Sequence, residues 1–173
     1  MSSRTAIVTG AGSGIGRAIA QRLVDDDFDV LAVDLKPADD GPGVSHAADL
    51  TTREGNRSAV DAAIEHFGRL DVIVPNAGFQ HVSPIAEFPE DKWDGLIAVL
   101  LTSPFLLARY GWEHLERSGD GRYIAIASAH ALVASPYKAG YVAAKHGVMG
   151  LVSRTAISPS HLSSGNSATG ETC

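Results

Sequence analysis

Ser128, Tyr141 and Lys145 are of the types, and lie at the spacing, that alcohol chemistry needs. Tyr141 follows Ser128 by 13 residues, and Lys145 stands four after Tyr141. On a helix, positions four apart share a face, so a phenol and an ammonium would look the same way. A neighbouring cation favours the ionised form of a phenol. Such a phenol can take the proton of an alcohol while hydride leaves the alcohol carbon. A serine hydroxyl can hold the same oxygen by a hydrogen bond. Each element alone says little, because Tyr–Lys pairs at this spacing usually decorate a surface. Their meaning depends on what precedes them.

What precedes them is a Gly-rich turn, "TGAGSGIG" (9–16). It follows a short β-branched run, "TAIVTG" (5–10), and opens an amphipathic stretch over 14–25. Gly10 allows a sharp turn, and small residues at 11–13 let backbone approach a phosphate. Gly14 and Gly16 let the helix start lie close to a ligand and to the sheet. The first helical N–H groups then face a pyrophosphate. In this strand–turn–helix context Gly10, Ser13, Gly14, Ile15 and Gly16 are candidate cofactor-binding residues. Asp34 closes the next apolar run, "DVLAVD" (29–34), 18 residues after Gly16. A carboxylate there accepts both ribose hydroxyls and repels a 2′-phosphate, which favours NAD. Lys36, two residues on, weakens that preference slightly. Asp49 and Leu50 at the end of "GVSHAADL" (43–50), and Asn76, Ala77 and Gly78 at the end of "LDVIVPNAG" (70–78), are further candidate cofactor-binding residues. Asn76 also reads as a turn residue bonding its own neighbourhood.

The elements that must position these residues alternate. Strands are expected at 5–10, 29–34, 43–50, 70–78 and 121–128, with helices at 14–25, 52–67, about 91–117 and about 138–155. Pro104 should kink or interrupt the third helix. Alternation at this spacing predicts right-handed crossovers and an α/β, doubly wound parallel sheet of Rossmann-like type, order 3-2-1-4-5. Ser128 then lies at the carboxyl edge, where such sheets bind ligands. No internal repeat and no domain boundary is visible within 1–152. Residues 153–173 are rich in Ser, Thr and Gly, and Pro159 should end any helix, so a disordered tail is expected there.

The chain of 173 residues carries a net charge of −6, which argues against nucleic acid or an anionic membrane as main partner. Its single cysteine, Cys173, forms no internal disulfide, as suits a reducing compartment. No signal peptide and no long uninterrupted apolar run are read. A cytoplasmic location is expected.

The pieces "TGAGSGIG", Asp49, "NAG" (76–78), Ser128, Tyr141 and Lys145 together resemble the short-chain dehydrogenase/reductase family over about residues 4–152. The stretches "NAGFQHVSPIAEFP" (76–89) and "IASAHALVASPYKAGYVAAKHGVMGL" resemble its 3-hydroxybutyrate-oxidising members. The resemblance implies NAD-dependent conversion of (R)-3-hydroxybutyrate to acetoacetate. Tyr141 would be the base and would also contact cofactor and substrate, Lys145 would tune it and bind the cofactor ribose, and Ser128 would bind and orient the substrate. It also implies that Gln80, His130 and Lys138 hold the substrate carboxylate, as two directed donors and a point charge. His81 and His146 carry no such argument. The family pairs its long helix and Tyr–Lys helix in a dimer face, so a homodimer is implied.

Two departures stand out. The family places in its long helix an asparagine that holds a water in a proton relay; here "IAVLLTSPF" (97–105) puts Leu100 there. The family also continues past the Tyr–Lys helix with two more strands, a cofactor loop and a lid, and none is visible after about Val152. An intact adenosine half, weak NAD binding and impaired turnover are therefore expected. A dehydrogenase of another small alcohol, and a non-catalytic nucleotide-binding protein, are the alternatives.

Overall fold

The computed structural model of the chain describes residues 3–154. Five parallel strands form one sheet in the order β3-β2-β1-β4-β5. They are β1 (Arg4–Thr9), β2 (Phe28–Asp34), β3 (Val44–Ala47), β4 (Val72–Val74) and β5 (Arg122–Tyr123). The helices between and after them are α1 (Gly14–Asp25), α2 (Arg53–Phe67), α3 (Glu90–Ile97), α4 (Ser103–Ser118) and α5 (Ala139–Arg154). The predicted strand order and the doubly wound architecture are observed.

Strand periodicity sorts the core into two layers. Ile7, Leu31, Val33 and Ile73 face α2 and α4, where they meet Ala59, Val60, Ala63, Leu107 and Leu115. Their neighbours Ala6, Val8, Val30, Ala32, Val72 and Val74 face α1 and meet Ala20, with Ile19 and Leu23 at the margin. Both faces of β1 and β2 are therefore covered, which explains why they read as continuous apolar runs. A buried polar contact joins two helices on one side: the Ser103 hydroxyl donates to Asn56 Oδ1 at 2.6 Å, while Asn56 Nδ2 donates to the Leu50 carbonyl at 2.9 Å.

Pro104 does not break the long helix. The five residues Ala98–Thr102 between α3 and α4 widen into a π turn, in which the Ser103 N–H reaches back to the Ala98 carbonyl. Proline has no N–H to give residue 100, and its ring would crowd that carbonyl. A wider turn just before it accommodates both effects. Glu90–Ser118 is long and apolar enough by composition to cross a membrane. Leu96, Leu100, Leu106, Leu107 and Leu115 are instead buried in the fold, as in a core helix.

Several strands end sooner than expected. β3 stops at Ala47, so Asp49 and Leu50 sit in the turn into α2 rather than closing a strand. β4 covers only Val72–Val74 of the expected 70–78, because Asn76 and Ala77 turn to bond the end of β1. β5 pairs only over Arg122–Tyr123, although Ile124 and Ile126 still donate to the Ile73 and Pro75 carbonyls at 2.9 and 3.0 Å. Ser128 therefore lies beyond the paired strand, still extended, where it caps a short 3₁₀ turn. Of the tail expected over 153–173, Ser153 and Arg154 belong to α5, and the rest lies outside the described residues.

Candidate functional site

The carboxyl ends of β1, β2 and β4 open onto a cleft of about 580 Å³. Gly10, Ser13, Gly14, Ile15, Asp34, Asp49, Leu50, Asn76, Ala77 and Gly78 all line it. Gly16, expected with them, does not: it is buried against the turn itself. A Cβ on Gly16 would lie 2.1 Å from the Gly10 carbonyl oxygen, so helix and turn touch backbone to backbone there. Gly10 takes a positive φ of 67°, and a Cβ on it would meet Ala77 Cα at 2.9 Å. These two glycines hold the floor of the cleft flat. Gly14 has nothing within 4 Å of its Cβ position, so the helix start faces open space.

The carboxylate of Asp34 is already oriented. One oxygen accepts from Gly12 N at 3.0 Å and the other from Lys36 N at 3.1 Å. Each oxygen keeps a further acceptor site for a hydroxyl. Asp49 accepts from both the backbone and the hydroxyl of Thr51, at 2.9 and 2.7 Å, which holds its carboxyl below the usual range. Asn76 braces the turn: its Nδ2 donates to the Thr9 carbonyl at 2.9 Å, and the Thr9 hydroxyl accepts from Asn76 N and Ala77 N. The turn reading and the cofactor reading of Asn76 thus coexist in one place.

Five lining residues were not legible in the sequence: Leu35, Ala48, Thr51, Phe79 and Val99. Leu35 follows Asp34 directly, and at 64 % exposure it gives the cleft an apolar wall beside a carboxylate. Val99 comes from the π turn, and no sequence signal points to it.

A second cluster forms where β5 runs out against α5. The Ser128 hydroxyl accepts from His130 N at 3.1 Å and lies 3.3 Å from His130 Nδ1. The His130 ring meets Tyr141 edge to face at 5.7 Å. Its buried Nε2 has no hydrogen-bond partner among the described residues. Lys145 Nζ lies 5.8 Å from the Tyr141 ring centre and donates to the Ile126 carbonyl at 2.5 Å. Burial lowers the pKa of Lys145 from its ordinary value. Gln80 is exposed on the loop after β4, and Lys138 is half-buried at the entrance to α5. Neither side chain makes a hydrogen bond or ion pair among the described residues. His81 packs edge-on against Phe88, and His146 bonds the Val142 carbonyl within α5, outside this cluster.

Leu100 joins the two regions. It is 3 % exposed, packs with Leu96, Ala144 and Tyr141, and puts its Cδ2 2.4 Å from where a Gly78 Cβ would be. The aliphatic side chain fills a space that a glycine leaves open. Leu100→Asn is expected to leave dinucleotide affinity within a few-fold, since Leu100 does not line the cleft. It should cost about 2–4 kcal/mol of stability, because a buried amide replaces well-packed methyls. Chemical denaturation and dinucleotide titration of one preparation check both parts.

Comparison with known proteins follows the same residues. A sequence profile of short chain dehydrogenase matches residues 4–159. The chain belongs to the short chain dehydrogenase family. Curated relatives include two proteins named D-beta-hydroxybutyrate dehydrogenase. The one from Rhizobium meliloti (strain 1021) is 39 % identical over 168 residues, covering 90 % of this chain and 65 % of the relative. The one from Cupriavidus necator is 38 % identical over 168 residues, covering 91 % and 65 %. Ligand-free aldohexose dehydrogenase of Thermoplasma acidophilum superposes with a TM-score of 0.83 at 29 % identity, over 87 % of this chain and 59 % of that one. The chain thus spans less than two thirds of the length of these proteins. Family and fold imply a nicotinamide dinucleotide, NAD or NADP, and the cleft fits one. Its floor includes backbone at Gly10 that only glycine permits, it opens at the start of α1, and it is lined by the oriented carboxylate of Asp34.

Proposed function

We propose that this short chain dehydrogenase uses NAD⁺ to oxidise a short hydroxy acid, (R)-3-hydroxybutyrate, to its keto acid. The contact of Ser128, His130 and Tyr141, with Lys145 beside them and an unpaired buried nitrogen on His130, carries the reading. Gly10, Ser13, Gly14 and Ile15 would hold the pyrophosphate, with Gly16 seating the helix on the turn. Asp34 would take the adenosine ribose, and its charge disfavours a 2′-phosphate. Asp49, Leu50, Asn76, Ala77 and Gly78 would line the path to the reacting end. When bound, the nicotinamide accepts the hydrogen and electron pair that leave the alcohol carbon.

The remaining work falls to side chains. Tyr141, in its ionised form, takes the hydroxyl proton as the carbonyl forms. The Ser128 hydroxyl holds the substrate oxygen in reach. The Lys145 ammonium, anchored by the Ile126 carbonyl, would support negative charge on the Tyr141 oxygen and would serve a cofactor ribose from outside the residues that line the cleft. His130 Nε2, without a partner among the described residues, would donate in the tautomer that carries its proton there. With Lys138 and Gln80 it supplies the recognition that a carboxylate needs. Exposed Phe105 on α4 and Met149 on α5 support a homodimer through those helices.

The test is formation of reduced nicotinamide by purified protein with NAD⁺ and either (R)-3-hydroxybutyrate or an aldohexose. Oxidation of the hydroxy acid alone supports the reading. Oxidation of the uncharged sugar alone assigns the site to another alcohol, as the name of the Thermoplasma structure suggests. Neither reaction, from folded protein that binds NAD⁺, would favour a nucleotide-binding role without catalysis.

A further inference from the structure

Beside the Gly-rich turn lies a charged pair that the dehydrogenase reading does not use, Arg17 with Asp40. Arg17 lies one turn after Ser13 on α1, and its N–H donates to the Ser13 carbonyl at 3.2 Å. Arg17 thus stands one turn along from Ser13, beside the cleft; neither it nor Asp40 is among the residues that line the cleft. Across from it the chain leaves β2 at Asp34 and leans on the Gly-rich turn. A Cβ on Gly12 would lie 2.9 Å from the Lys36 carbonyl and 3.0 Å from the Asp34 carboxyl. The loop from 35 to 43 then delivers Asp40 to Arg17. Arg17 Nη1 and Nη2 donate to the two Asp40 carboxylate oxygens at 3.2 and 2.9 Å, and Nη2 also donates to the Asp40 carbonyl at 3.2 Å.

Three bonds occupy the outer edge of the guanidinium, the edge that would otherwise recognise a phosphate in the same two-pronged way. We propose that Asp40 is a cofactor-selectivity residue: by holding Arg17 it withholds from the adenosine end of the cleft the cation that a 2′-phosphate would need. This rests on the reading that Asp34 receives the adenosine ribose. The two residues divide the task. Asp34 disfavours the extra phosphate by its own charge, and Asp40 does so by occupying the nearest arginine on α1. The pair also ties the 35–43 loop to α1 along the rim. Both side chains reach solvent, at 40 % and 80 % exposure, so freeing one should leave the fold intact.

Calorimetric titration with NAD⁺ and with NADP⁺ tests this on the unsubstituted protein, Asp40→Asn, Arg17→Ala and the double variant, each checked by thermal melting. Lys36 is present in all four, so its contribution cancels. The unsubstituted protein is expected to prefer NAD⁺. Asp40→Asn should tighten NADP⁺ binding about five- to tenfold while NAD⁺ stays within about twofold, a gain of the size an exposed guanidinium–phosphate contact gives. The gain should vanish in the double variant and shrink as salt is raised. Unchanged NADP⁺ affinity in Asp40→Asn overturns the proposal and leaves the Asp34 reading standing. So does a gain that survives in the double variant, since Asp40 would then act only through its own charge. Preference for NADP⁺ in the unsubstituted protein, or binding of neither, overturns the Asp34 reading and this proposal together.

Discussion

Tyr141→Phe is expected to lower the rate of NAD⁺-dependent oxidation by about 10²–10⁴-fold, the range of a lost general acid–base group. NAD⁺ affinity should stay within a few-fold, because Tyr141 does not line the dinucleotide cleft. The substitution removes one oxygen and keeps the ring. The edge contact with His130 and the packing against Leu96, Leu100 and Ala144 would therefore persist. Stability should change by less than about 1 kcal/mol, as for other volume-conserving changes. Initial rates, dinucleotide titration and a thermal melt on one preparation separate the three quantities. A variant that keeps its rate would remove Tyr141 from the chemistry. A variant that loses rate and fold together would show a packing role instead.

Gly16→Ala is expected to be among the most damaging single methyl additions in the described residues. Its Cβ would stand 2.1 Å from the Gly10 carbonyl oxygen and 2.6 Å from the Gly10 carbonyl carbon. Neither atom belongs to a flexible side chain, so either α1 moves off the turn or the turn deforms. Forced overpacking of this kind costs about 3 kcal/mol or more. Deformation of the turn should weaken NAD⁺ binding by about a hundredfold, as roughly 2.7 kcal/mol of lost binding energy implies. Gly14→Ala is the control two residues away. It meets no atom within 4 Å and suffers only from its φ of 54°, a strain of about 1–2 kcal/mol. Melting temperature should fall much further for Gly16→Ala than for Gly14→Ala. Equal losses would mean that the backbone contact is relieved at little cost.

The contrast between those glycines shows what a sequence reveals and what it withholds. "TGAGSGIG" points to a phosphate-facing turn because its glycines sit between an apolar strand and an amphipathic helix. It does not say which glycine faces ligand and which faces backbone, since that depends on contacts across the turn. Strand order was legible because alternation and right-handed crossovers leave few arrangements. Strand ends were not, because they depend on partners: Asn76 turns away to brace Thr9, and the chain around Ser128 leaves its paired neighbour early. The Ser128, Tyr141 and Lys145 spacing was readable from helical geometry. The contact that draws His130 onto both Ser128 and Tyr141 required the 3₁₀ turn to be seen. Leu100 was recognisable as a departure from the family. Its role as the filler of the space at Gly78 depends on a pair 22 positions apart, and the π turn that exposes Val99 to the cleft left no local sign beyond Pro104.

The most direct test of the proposed chemistry follows one atom. Purified protein is incubated with NAD⁺ and (R)-3-hydroxybutyrate deuterated at the alcohol carbon, and the dinucleotide is examined by mass spectrometry. Isotope transfer is visible even when turnover is slow. The account predicts reduced dinucleotide carrying the deuterium, formed by the unsubstituted protein and lost in Tyr141→Phe. Folded protein that binds NAD⁺ yet yields no deuterated dinucleotide, or yields it equally without the Tyr141 hydroxyl, would contradict the account.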